Sequence, residues 1–137
     1  MEAQKKKRVL KKWFLLVFED FDNAKIMAKH GKLLMSAFFL QQTVEKLLKV
    51  YYIFLKNEEP PYVHNLFLLK QKTDVQNLVS SDLVELIDQL NPYYIQSRYP
   101  SYKEKISLNL DKKVIAEFIK RTEELIKCLQ LEMKLKK

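Results

Sequence analysis

Glycine, cysteine, histidine and proline are all scarce in this chain: one, one, two and four in 137 residues. Each scarcity removes a class of function. A single glycine cannot build the glycine-rich loop whose backbone amides cradle a phosphate, which excludes P-loop and dinucleotide-binding chemistry. Cys128 alone forms no internal disulfide, and neither paired cysteines nor a helical His-x-x-x-His is present to hold a metal. No metal site and no cofactor are therefore expected. The most apolar stretches, Trp13 to Phe18 and Val50 to Leu55, fall far short of the roughly 20 residues needed to span a bilayer. No cleavable apolar leader opens the chain. These features set the expectation of a cytoplasmic protein with no membrane partner.

What is present reads as one globular domain over residues 1–137, 47% hydrophobic and 31% charged, well away from the composition of disorder. The net charge of +8 sits at the two ends. Residues 1–12 carry Lys5, Lys6, Lys7, Arg8, Lys11 and Lys12 against Glu2, and residues 134–137 add Lys134, Lys136 and Lys137. Between them 16 basic and 16 acidic side chains cancel. The basic ends are read either as solvated helix termini or as a surface for phosphate.

So few breakers leave long helical periods. From about Glu2 to Lys29, Leu10, Trp13, Phe14, Val17, Phe21, Ala24 and Ala28 recur at steps of three and four, and Gly31 suits a stop. A second helix from about Lys32 to Lys56, about 35 Å long at 1.5 Å per residue, ends before Pro60-Pro61. A brief helix over His64 to Gln71 follows, then one capped by Ser80 or Ser81 and running to about Leu90, where Pro92 breaks it. Asp111 caps a last helix. The expected fold is all-α: an up-down antiparallel bundle of four long helices plus one short helix. In that arrangement both termini lie at one end, and the Gly31 turn and a loop from Pro92 to Ser107 lie at the other.

Two constellations carry candidate chemistry. The first is that loop, where Tyr93, Tyr94, Tyr99 and Tyr102 surround Arg98 and precede Lys103. Tyrosine rings stack bases, and a guanidinium grips phosphate with paired donors. The same tyrosines would equally serve to cover the end of the bundle, with Arg98 paired to Glu45 or Asp20. The second is a polar stripe on the apolar second helix: Gln42, Glu45, Lys46 and Lys49, three and four residues apart, beside Gln41. It reads either as a solvated face or as buried groups that need partners.

At these residues the chain resembles the HEPN family (higher eukaryote and prokaryote nucleotide-binding). The carriers are Phe38-x-x-Gln41-Gln42-x-x-Glu45-Lys46-x-x-Lys49, His64-x-Leu66 after a proline turn, and Tyr94-x-x-x-Arg98-Tyr99-Pro100. Trp13, Asp20 and Ala24 agree in the first helix, while Val17 stands where a small alanine is usual. The resemblance implies a helical bundle, usually a homodimer, that binds or acts on nucleotides or RNA, often beside a minimal nucleotidyltransferase as a toxin and antitoxin pair. Many members are metal-independent ribonucleases that use an arginine followed, after four to six residues, by a histidine. Here the positions that precede His30 and His64 at that spacing hold Asn23, Ala24, Lys25, Asn57, Glu58 and Glu59, and Arg98 is followed by Lys103, Glu104 and Lys105. The motif is absent, so no catalytic residue is assigned.

The reading is a nucleotide- or nucleic-acid-binding protein, more a binder than an enzyme. Arg98, Lys49, Tyr94, Tyr99 and Tyr102 would contact the ligand, with Asp20, Gln42, Glu45 and His64 in support. Two alternatives stay open: a protein-interaction module for a cognate enzyme, and a ribonuclease that brings Arg98 and His64 together across a dimer.

Overall fold

The computed structural model describes residues 1–94 and 100–135, with the backbone alone for 100–103. Among the described residues six α-helices follow in order: α1 Ala3–Lys29, α2 Leu33–Lys56, α3 Leu66–Thr73, α4 Ser81–Leu90, α5 Pro100–Ser107 and α6 Lys112–Met133. Single 3-10 turns occupy Val75–Asn77 and Asn91–Tyr93. Among the described residues there is no strand, and no helix is long and apolar enough to cross a membrane.

Three helices are long and three are short, which corrects the expected four long and one short. The reasons are local. Asp74 adopts a left-handed conformation (φ 52°) and ends α3, while Asn91 and Pro92 stop α4 after 10 residues. The stretch after Pro92, expected to be a loop throughout, contains α5. Its first residue is Pro100, a position where proline's missing N–H costs nothing and its fixed φ suits the helix.

Capping follows the sequence closely. Gly31 takes φ 73° after α1, Asn65 accepts from Phe67 N and Leu68 N at the start of α3, Ser80 caps α4, and Asp111 accepts from Val114 N at 2.8 Å. Ser36 Oγ donates to Ala24 O at 2.8 Å and pins the α1–α2 turn.

Helix α2 is the axis of the bundle. It packs against α1, α3, α4 and α6, and residues around most of its circumference are buried, from Ala37 and Leu40 to Leu47, Val50 and Ile53. Fully burying such a leucine or isoleucine contributes about 1.5–3 kcal/mol. Helix α6 runs back along α1, so Lys134 and Leu135 line one groove with Lys7, Lys11 and Phe14. The basic amino-terminal segment is helical from Ala3 onward, and one of its cations is used inside the fold. Lys6 Nζ donates to Phe54 O at 2.9 Å, capping the last turn of α2.

A candidate nucleotide-binding site around Glu45

An axial helix leaves little room for charge, yet α2 buries Gln41, Glu45 and Lys49, and α1 buries Asp20 beside them. A polar group removed from water must find partners. Glu45 does so from three directions. Gln41 Nε2 donates to its Oε1 at 3.3 Å, Lys49 Nζ to its Oε2 at 3.1 Å, and His64 Nδ1 lies 3.1 Å from both oxygens. Gln41, Glu45 and Lys49 are successive one-turn neighbours on a single helix row, so the row is built by helical geometry alone. Gln41 Nε2 also donates to His64 O at 3.1 Å, which fixes the backbone that presents the ring.

His64 is the exposed end of this network. Its side chain is 59% exposed, against 9% for Glu45 and 10% for Lys49. A carboxylate only accepts, so Nδ1 is the donor in this contact, and in the neutral imidazole Nε2 keeps the lone pair. The imidazole stacks on Tyr94, with centroids 6.0 Å apart and planes at 25°. What brings Tyr94 there is Asn91, whose Oδ1 accepts from Leu66 N at 2.7 Å and ties the end of α4 to the start of α3.

Asp20 stands apart from that network. Its partner is Lys46 Nζ at 2.6 Å. Burial raises the Asp20 carboxyl above its usual range; the hydrogen bond and charge of Lys46 oppose this, and Glu19 and Glu45 add to it. Asp20 and Glu45 thus have cations of their own within the described residues, from α2 and the α2–α3 connection. Gln42 is half-buried and makes no hydrogen bond among the described residues. Its neighbour Gln41, fully buried, is the glutamine that donates to Glu45. The signal lies in the spacing, because steps of three and four put Gln41 on the inner face with Ala37, Val44 and Leu48. Arg98 and Tyr99 lie outside the described residues, as does the side chain of Tyr102.

Beyond Lys49 a groove of about 680 Å³ continues toward the amino terminus, lined by Trp13, Ile53, Pro60, Pro61 and Tyr62, with Lys5 and Glu58 at its edge. The site therefore offers an exposed imidazole on a phenol ring, a buried ammonium shared with a carboxylate, and an adjoining groove with aromatic walls. Among the described residues no three His, Cys, Asp or Glu side chains are grouped to hold a metal.

Among curated proteins, no sequence matches the chain. The fold matches a solved structure, TT1696 from Thermus thermophilus, with a TM-score of 0.71 and 20% identity, over 88% of this chain and 95% of that one. The profile of the HEPN domain matches residues 11–133, from the first helix to the end of the last, and so takes in Asp20, the Gln41–Glu45–Lys49 row, His64 and Tyr94. The chain belongs to the HEPN domain family.

Proposed function

We propose that this HEPN domain binds a nucleotide or single-stranded nucleic acid at the His64–Tyr94 face, as a homodimer paired with a minimal nucleotidyltransferase. The observation that carries the reading is the stacked His64–Tyr94 pair held over the buried Glu45–Lys49 pair. The exposed His64 ring on the half-buried Tyr94 ring offers a stacking surface for a base, of the kind worth about 1–3 kcal/mol per base. Lys49 and Arg98 are the cations for the phosphate, and Gln41 and Glu45 hold the assembly in place. Pairing with a nucleotidyltransferase is supported by membership of the family, in which small stand-alone domains often stand beside such enzymes.

The test is calorimetric titration with adenosine 5′-monophosphate and with a short single-stranded RNA. Tyr94→Ala and His64→Ala should each weaken binding about tenfold or more while the melting temperature stays near that of the parent. Tight co-purification with a nucleotidyltransferase and no response to either ligand would replace this reading with a pure protein-interaction module.

One observation favours a second reading. Glu45 holds Nδ1 of a largely exposed His64, which leaves Nε2 free of that contact, the arrangement of a general base. Such a base would take the proton of a ribose 2′-hydroxyl as that oxygen bonds to the adjacent phosphorus and the phosphorus–5′-oxygen bond breaks, the departing 5′-oxygen taking a proton from water and Arg98 holding the phosphate. Cleavage of RNA that persists in EDTA and is lost in His64→Ala would establish this ribonuclease.

A further inference from the structure

A second polar centre lies away from Glu45. A cavity of about 540 Å³ opens between the Asn91–Tyr93 turn, the end of α5 and one side of α6, within the range of small-ligand sites. Its apolar wall is formed by Tyr93, Ile106 and Phe118, all buried, with the two rings 6.5 Å apart and inclined at 60°. Among the described residues two cations line it: Lys105, which is exposed, and Arg121, whose side chain is 9% exposed.

Arg121 is under-compensated where it stands. Its Nη2 donates to Gln89 Oε1 at 2.8 Å and its Nη1 to Asp82 O at 3.4 Å, both neutral acceptors. The carboxylate of Asp82 is 3.7 Å away, beyond hydrogen-bond length, and is itself 64% exposed. Nε is buried without an acceptor. A guanidinium has five N–H donors, so most of this one's donors have no counterpart among those two bonds. The Asp82 carboxylate and the Phe118 ring, 5.7 Å from the guanidinium carbon, compensate part of the charge. A buried charge is costly unless it is fully paired, and this side chain lines the cavity. Glu117 also lines the cavity but is exposed, so its charge remains in water.

We infer that this cavity is a second ligand site, for a small organic anion whose carboxylate or phosphate monoester meets Arg121 and Lys105 while a flat apolar body covers Tyr93, Ile106 and Phe118. The planar guanidinium takes either head group with paired donors, and the wall of rings selects a flat body over a bare ion. The site shares no residue with the Glu45 cluster and stands or falls independently of the function proposed there.

The test is a nuclear magnetic resonance titration of the full chain with phenyl phosphate, benzoate and inorganic phosphate in low salt. Phenyl phosphate or benzoate should give saturable shifts in the Gln89 side-chain amide and in the backbone of Ile106 and Phe118, and inorganic phosphate should bind about tenfold more weakly. The stronger of the two aromatic probes identifies the head group. Arg121→Met should lose the binding, Lys105→Ala should weaken it several-fold, and His64→Ala should leave it unchanged. Because Arg121 also ties α6 to α4, Lys105→Ala at an exposed position decides the matter if the Arg121 variant does not fold. The inference is overturned if no probe saturates, if Lys105→Ala binds like the parent, if inorganic phosphate binds as tightly as phenyl phosphate, or if His64→Ala removes the shifts.

Discussion

Replacing Glu45 by glutamine changes one atom's chemistry at the point where three donors converge. The side chain keeps its shape and loses its charge, so Lys49, only 10% exposed, keeps an ammonium without a counter-ion. Removing one member of a buried pair costs about 3–5 kcal/mol. Part of that is retained here, because the amide oxygen still accepts from Lys49. The His64 contact contributes little to the loss, because a pair with one largely exposed partner is worth about 0–1 kcal/mol. The expected cost is about 2–3 kcal/mol, or a melting temperature lower by roughly 8–12 °C for a domain of this size. Thermal and urea unfolding measure it, and a second substitution separates the cause. In Glu45→Gln/Lys49→Met the stranded charge is gone, so the double variant should recover about half of the loss or more. A Glu45→Gln protein within about 0.5 kcal/mol of the parent, or a double variant less stable than the single, would refute the reasoning.

Asp20→Asn should show its effect through pH. Burial holds the Asp20 carboxyl above its ordinary value, so the unfolded chain binds fewer protons than the native one between that value and the raised one. Stability contributed by this group therefore falls as pH rises through that window and is restored below it. The melting temperature of Asp20→Asn relative to the parent should accordingly be higher at pH 7 than at pH 3.5; the opposite slope would show a carboxylate stabilised by Lys46. Asn91→Ala leaves Leu66 N without its acceptor and should cost about 1–2 kcal/mol, and nucleotide binding should weaken as Tyr94 loses its anchor. Gly31→Ala meets no steric obstacle, since nothing lies within 4 Å of the added methyl, but φ of 73° should cost about 1 kcal/mol in chemical denaturation.

Most of the fold is legible in the sequence because helical periodicity and capping are local. The α1 and α6 faces follow from residues three and four apart, and Gly31, Ser80 and Asp111 mark boundaries where the backbone needs them. What periodicity misses is tertiary. Helix α5, over Pro-Ser-Tyr-Lys-Glu-Lys-Ile-Ser, has a single strongly apolar residue, Ile106, to bury and no stripe to detect. Gln41 and Gln42 differ by one position, and about 100° of rotation decides which of them reaches Glu45. Sequence alone offers Asp20 or Glu45 as the partner of Arg98, which lies outside the described residues; among the described residues Asp20 pairs with Lys46, a contact between α1 and α2 that no spacing within one helix reveals. His64 lies 19 residues from Glu45, and no spacing rule connects them; the Asn91–Leu66 bond that orders this corner spans 25 residues. Arg121 is legible in part, since Phe118 before it and Leu125 after it place it on an inward row.

Photo-cross-linking of a single-stranded RNA to the parent protein, with the modified peptides located by mass spectrometry, tests the central claim most directly. The account predicts adducts on the peptides that carry His64 and Tyr94, and their loss in Tyr94→Ala. Adducts confined to residues 1–12 and 134–137, unchanged in that variant, would show that the basic ends hold the RNA and would contradict a binding face built over Glu45.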